Sequence, residues 1–131
     1  MTDAQTLAPE PNPAARWDRA GMLLSGLCAV HCLLMPLLLV ILPLHGTHAL
    51  HDAWHPATAA LLVPVTFRAA HHGASPSSVG LLWGGLVIVW LGLIAHSALD
   101  EIAGVGLTFV GSLLLLAGHG CNLRCACSSA T

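Results

Sequence analysis

The sequence is poor in charged residues and contains no lysine. Of its 131 residues, 8% are charged and 56% are hydrophobic, whereas about a quarter of the residues in a soluble domain are charged. This composition excludes an ordinary soluble domain and predicts an integral membrane protein with the lipid bilayer as its partner. The four basic residues, all arginine, are too few for a basic patch, so we do not expect a nucleic-acid partner.

The chain also lacks the usual signatures of catalysis. No glycine-rich phosphate loop follows a predicted strand, and neither Ser25 nor Ser112 has a visible base and orienting residue. We therefore expect neither an enzyme nor a permanently bound cofactor. The segment before the first apolar run contains Asp3 and Glu10 and is not basic, which argues against a cleaved signal peptide.

Four apolar segments predict four membrane-spanning helices. Their ranges are 20–44, 54–67, 79–99 and 102 to about 119. The first and third are long enough to cross a bilayer. The second is short and contains Pro56 and Pro64, so it spans only if it includes the neighbouring histidine-rich segment or the bilayer thins locally.

Glycines recur in the third and fourth predicted spans. Gly80 and Gly84 have the spacing of a small-xxx-small motif, while Gly104, Gly111 and Gly118 lie seven residues apart. Both patterns favour close approach between helices, because glycine has no side chain to separate two backbones. We interpret them as packing features rather than as parts of a functional site.

The arginines predict the orientation of the chain. Arg16 and Arg19 precede the first span, Arg68 lies between the second and third, and Arg124 follows the fourth. Arginines in short loops favour the cytoplasmic side, and all four fall there only if the chain crosses four times. We expect an all-α integral membrane four-helix bundle with both termini cytoplasmic. Its parts are a disordered tail (1–18), a four-span domain (19–121) and a cysteine-containing tail (122–131).

The first span contains two thiols and an imidazole at helical spacing. Cys28 and Cys32 are four residues apart and His31 lies three after Cys28, so these soft and borderline donors converge on one side of a helix. Pro36 has no N–H and leaves the carbonyl of Cys32 without its helical hydrogen bond. Ionisable groups inside a span are costly and usually functional. The motif therefore favours a metal site over packing of small apolar residues.

A histidine-rich segment follows the first span. It contains His45, His48, His51 and His55 together with Asp52. On a helix, His48, His51 and His55 would share one face, which is a spacing suited to metal ligands. Histidines at a membrane edge also solvate the chain or sense pH, so this segment is a weaker metal-site prediction than the thiol motif.

The predicted topology sorts the donors into three tiers. The outer tier is His45, His48, His51, His55 and His96 with Asp52, Asp100 and Glu101. The middle tier is Cys28, His31 and Cys32. The inner tier is His71, His72, His119, Cys121, Cys125 and Cys127. Donors thus become softer toward the cytosol, an order that suits capture of a divalent cation and tighter binding as it descends. Thiols on the reducing cytosolic side stay available for binding.

Several of these stretches resemble the MerC mercury-resistance family. They are residues 27–38, the histidine-rich first loop and residues 118–125, and the resemblance covers roughly residues 20–125. It implies import of Hg(II) from the periplasm across the inner membrane, with delivery to a cytosolic mercuric reductase or another thiol acceptor. It assigns mercury binding to Cys28 and Cys32, and a further role to the terminal cysteines Cys121, Cys125 and Cys127.

Other functions also fit these residues. The spacing Cys-x-x-His-Cys, where well-known mercury transporters have Cys-x-x-Cys, and the nine histidines favour zinc or copper as further candidates, because imidazole suits both. The protein could then transport such a metal or buffer it. A thiol–disulfide oxidoreductase needs a cysteine pair at the periplasmic end of a helix, whereas the arginines place both cysteine groups here in the middle of the membrane or in the cytosol. A haem bundle would use His31 with His96 or His119. The sequence leaves the oligomeric state open.

Overall fold

A computed structural model describes residues 13–41, 48–72 and 74–128. These residues fold into four α-helices and contain no strand. The helices are α1 (Pro13–Ile41), α2 (His48–His71), α3 (Pro76–Ala98) and α4 (Glu101–Ser128). The predicted all-α fold is confirmed. Side chains are described except those of residues 13–14, 39–40, 48–52 and 126–128.

Local sequence explains how the helices begin. The Ser75 hydroxyl accepts a hydrogen bond from the backbone N–H of Ser78 at 3.2 Å and so caps the start of α3. Pro76 follows in the first turn, where a missing N–H costs nothing. Pro13 takes the same place in α1, which then continues through Pro36.

Both outer helices extend beyond the predicted membrane domain. α1 begins at Pro13, although the predicted tail reaches residue 18, and α4 ends at Ser128, although the second predicted tail begins at residue 122. Asp18 on α1 and Asn122 on α4 are buried, so tertiary packing stabilises helix where composition alone indicates a tail. The remainder of both predicted tails lies outside the described residues.

Three of the helices are long and apolar enough to cross a membrane, as judged over the described residues. The segments are Ala15–Leu38, Pro76–Ala98 and Glu101–Cys125. α2 has 24 residues and is about 36 Å long at 1.5 Å per residue. It therefore has the length for a crossing, but its histidines, threonines and two prolines make it too polar to qualify. A fourth crossing by α2 stays a prediction.

The distribution of side chains differs from that in a soluble bundle. Leu33 is 69% exposed and Ile94 is 59% exposed on the outer surface, whereas Ser25, Thr66 and Ser112 are fully buried. Large apolar side chains on the outside and small polar ones between helices are typical of bundles that face lipid. Buried hydroxyls are satisfied locally where they bond to the preceding turn, as Ser112 Oγ does to the Thr108 carbonyl at 2.8 Å.

The helices pack in chain order, and α4 closes the ring against α1. The most extensive interface is between α3 and α4, while the contact of α2 with α3 is the smallest of these four. Short connections and neighbour-to-neighbour packing define an up-and-down bundle.

α3 and α4 approach each other through glycines. A side-chain carbon on Gly111 would lie 2.9 Å from the carbonyl oxygen of Gly85, and one on Gly92 would lie 2.8 Å from the backbone nitrogen of Thr108. Both distances are shorter than van der Waals contact. The predicted seam on α4 is confirmed at Gly111 and also at Gly104, where an added carbon would meet the backbone of α3.

The predicted packing role of Gly80 and Gly84 is wrong within this chain. Among the described residues, nothing lies within 4 Å of a side-chain carbon built on either glycine. The seam on α3 uses Gly85 and Gly92 instead. Because one residue turns a helix by about 100°, an offset of a single position moves a glycine out of the interface.

A buried hydrogen bond joins the beginning of α1 to the end of α4. His119 Nδ1 lies 2.9 Å from Asp18 Oδ1, and both side chains are buried. Asn122 Nδ2 donates to the same Asp18 oxygen at 3.2 Å and to the carbonyl of Ala69 on α2 at 3.5 Å. The His119 ring lies over Gly21, where any side chain would collide with it. Three helices are tied together at this end of the bundle.

The glycine seam predicts different outcomes for two alanine substitutions on α4. Gly111→Ala should lower the thermal unfolding midpoint in mild detergent by an amount equivalent to about 1–3 kcal/mol, because the methyl group overpacks the α3 interface. Gly106→Ala is the matched control, since an added carbon there meets nothing within 4 Å among the described residues. It should leave the midpoint unchanged or raise it, as alanine favours helix. Circular dichroism would measure the midpoints. Equal midpoints for both variants would contradict close packing of α3 and α4 at Gly111.

Candidate metal site

The two thiols of α1 meet a histidine of α2 in the bundle interior. The Sγ atoms of Cys28 and Cys32 and a ring nitrogen of His55 all lie within 4.8 Å of one another. The three side chains are 1%, 3% and 7% exposed, respectively. Among the residues that the structure describes, no other group of three or more potential ligands comes this close.

Helix geometry explains the convergence. Cys28 and Cys32, four residues apart, lie on one face of α1. His55 is seven residues into α2, or about 10 Å below its first residue at 1.5 Å per residue. The sequence places His55 in the outer tier, but α2 carries it down to the level of the thiols. Thiols of the predicted middle tier and an imidazole of the predicted outer tier therefore form one site.

The spacing of the three donors suits a soft or borderline metal ion. Metal–sulfur and metal–nitrogen bonds of about 2.3 and 2.0 Å place donors around a three- or four-coordinate ion about 3.5–4 Å apart. Two thiols on opposite sides of a linear ion are about 4.6 Å apart by the same bond length. Both arrangements are reached from donors within 4.8 Å of one another by small side-chain rotations.

α4 forms the third wall of the site. The side chain of Cys28 lies close to those of Cys32 and His55 on one side and of Ser112 on the other. Three pairs of neighbouring residues define how α1 lies against α4: Asp18 with Asn122, Gly21 with His119 and Cys28 with Ser112. Moving a given number of residues forward along α1 therefore corresponds to moving the same number backward along α4. The same antiparallel register places Cys32 level with Thr108.

His31 lies beside the site rather than in it. Its ring stacks on Trp54 with centroids 5.1 Å apart and planes inclined by 22°. It also meets His55 edge to face, with centroids 5.4 Å apart. That His31 is a metal ligand stays a prediction. Its edge-to-face contact with His55 orients the His55 ring.

Of the other predicted ligands, the two whose side chains are described, Cys121 and Cys125, do not join this group. Cys121 and Cys125 are exposed near the end of α4, at the same four-residue spacing as the buried pair. His48 and His51 lie on α2 and Cys127 lies on α4, but their side chains are outside the described residues, as is all of His45. The metal-binding roles of these residues stay predictions.

Some residues around the site were not singled out by the sequence as site components. Ser112 contacts Cys28, and Thr108 lies level with Cys32 through the α1–α4 register. Their local signal is weak, because serine and threonine are common in membrane helices, where the hydroxyl bonds to its own backbone. The seven-residue glycine repeat could have indicated these residues, because it marks the face of α4 that packs inside the bundle.

Fold and site together define a helical membrane protein with a buried site of two thiols and one imidazole. Residues 18–124 match the family model described as MerC mercury resistance protein. The chain belongs to this family, and the resemblance seen in the sequence is confirmed. Comparison with curated proteins and with solved structures yields no significant match.

Burial predicts two classes of thiol reactivity. In detergent micelles, Cys28 and Cys32 should react with a polar alkylating reagent at least about 100-fold more slowly than Cys121 and Cys125, because reaction requires a local opening costing roughly 3 kcal/mol. Mass spectrometry of peptides after timed quenching would give the rates. Addition of a denaturing detergent is the control and should equalise them. Comparable rates in the folded protein would contradict the burial of the α1 pair.

Proposed function

We propose that this protein imports Hg(II), or a similar soft or borderline divalent ion, across the inner membrane by ligand exchange. One observation carries the proposal: two buried thiols and an imidazole converge within 4.8 Å on helices of a mercury-resistance membrane protein. As proposed, the protein is a carrier and not an enzyme. The metal is its cargo and no resident cofactor is required.

Charge balance supports the thiol pair as the crossing point. When a dication binds both cysteines, two metal–sulfur bonds form and two thiol protons leave to water. No electrons move, and the complex of one dication with two thiolates carries no net charge. An isolated charge in an apolar interior is very costly, so this neutralisation lets the ion occupy the middle of the bundle. A neutral His55 adds a ligand without adding charge.

The arginine-rich end of the bundle supports the direction of transport. Arg68 lies over the ring of Trp17, with its guanidinium carbon 5.6 Å from the centroid. The antiparallel packing brings Arg16, Arg19 and Arg124 to this same end. We place this end in the cytoplasm, which requires α2 to complete a fourth crossing and puts both termini inside. In this topology Cys121 and Cys125 face the cytosol. They would receive the ion from the buried pair and pass it to a cytosolic metal reductase or thiol acceptor.

Zinc or copper is the second candidate cargo, and His55 is the observation that favours it. A linear complex with mercury needs two thiols, whereas zinc takes three or four ligands and accepts imidazole readily. A site with a buried imidazole within 4.8 Å of both sulfurs offers the third ligand. The same geometry would serve a transporter or a buffer for these metals.

Removing the thiol pair should abolish import. Cells expressing the parent chain should accumulate labelled Hg(II) faster than vector controls, and Cys28→Ser/Cys32→Ser should return uptake to the control rate because no neutral complex can form in the bundle. Gly26→Ser is the matched control on the same helix, since nothing lies within 4 Å of a side-chain carbon at this position among the described residues. Equal uptake by the double variant and the parent, at equal membrane abundance, would sink the proposal.

His55 should distinguish the two candidate cargoes. In purified protein, His55→Leu should weaken Zn(II) binding by about 100-fold or more, because one of its few ligands is lost. Binding of Hg(II) to the two thiols should change less than about tenfold. Competition titrations with a chelating dye would measure both, with exposed His72→Leu as control. A zinc affinity that does not change would show that His55 is not a ligand.

A further inference from the structure

A cleft lies between α2, α3 and α4 on the side of the site away from α1. It is lined by His55, Leu93, His96, Gly104, Val105 and Thr108. The cleft is partly open to the surroundings, and its cavity volume of about 10 Å³ leaves room for about one water molecule. An ion that has lost most of its hydration shell can therefore enter it.

The histidines of the cleft form a descending series. His96 is two residues before the end of α3 and partly exposed, whereas His55 lies deeper and is 7% exposed. The two ring centroids are 6.3 Å apart. His55 belongs both to this cleft and to the thiol group, so this imidazole is the residue that connects them.

We propose that this cleft is the entrance to the thiol pair and that His96 is the first ligand of the incoming ion, which it hands to His55. This inference rests on the proposed function and identifies the entry ligand for it. His96 thereby takes, within the predicted outer tier, the capturing role that the sequence assigned to that tier as a whole.

The transfer needs no proton or electron. One bond between the metal and an imidazole nitrogen of His96 breaks as a bond to a nitrogen of His55 forms, and both rings are neutral ligands. A ring separation of 6.3 Å is short enough for one ion to move between the two by side-chain rotation. The following step, to Cys28 and Cys32, releases the two thiol protons.

The opposite flank of His55 is less suited to entry. There the His31 ring packs edge to face against His55 and is itself stacked on Trp54 at 5.1 Å. The Trp54 indole covers the His31 imidazole, which would otherwise offer the ion a second route to His55. His31 is thus a positioning residue for His55, and the cleft with His96 lies on a different side of that ring.

Packing holds His96 at the rim. A side-chain carbon on Gly104 would lie 2.6 Å from the Cα atom of His96, so α4 touches the backbone of α3 at this position. Such contact fixes where the imidazole leaves the helix. The entrance is formed by the most extensive interface in the bundle, which gives the first ligand a stable place.

The test is the rate at which HgCl₂ reaches the buried thiols in purified protein. In a Cys121→Ser/Cys125→Ser/Cys127→Ser background, stopped-flow absorption of the mercury–thiolate bond reports binding to Cys28 and Cys32 alone. His96→Ala should slow binding by about tenfold and leave the final amplitude unchanged. A purely structural role would change the amplitude or the helix content. His72→Ala, at the opposite end of the bundle, is the control and should match the parent.

A second variant tests the cleft without removing a ligand. Val105→Phe places a larger side chain in it and should also slow binding with unchanged amplitude. Parent-like rates in His96→Ala or in Val105→Phe would overturn the inference, as would equal slowing by His72→Ala. If the background protein binds no mercury at all, the proposed function itself fails, so the two failures are distinguishable.

Discussion

The buried hydrogen bond between Asp18 and His119 sets the register of α1 against α4, and the candidate metal site depends on this register. A buried polar group without a hydrogen-bond partner is costly, so sliding either helix would leave both side chains unpaired. Gly21 beneath the His119 ring leaves no room for a different rotation. Seven residues further along α1, Cys28 therefore meets Ser112, and the thiols face the interior rather than lipid.

The site combines ligands of different softness within a few ångströms. Two thiols alone would suit a linear soft ion, and an imidazole alone would suit many divalent metals; together they would accept more than one coordination geometry. The proposed carrier needs this compromise, since each binding site must capture the ion and still release it. Along the proposed path the donors change from imidazole to thiol, so exchange would proceed toward the stronger ligand for a soft ion.

How much of this could be predicted from the sequence depends on the range of the interactions. The all-α fold and the Cys28, Cys32 motif follow from composition and spacing within one helix, which are local properties. The depth of His55 does not, because it depends on where α2 begins and how it packs on α1. Asp18 precedes its partner by 101 residues and follows a proline-rich stretch that indicates a tail. On α3 the interface uses Gly85 and Gly92 rather than the expected Gly84, because these positions point in different directions around the helix axis. Only the packing of α3 against α4 shows which of them face the interface.

The glycine contact between α3 and α4 also restricts how the bundle can rearrange. Where two backbones touch, as at Gly85 and Gly111, translation of one helix along the other would drive main-chain atoms into one another. We therefore expect these two helices to move together. In the proposed transport, a change between outward and inward access would fall mainly to α2, which has the smaller interfaces and two internal prolines. The hinge would then lie in the helix that carries His55.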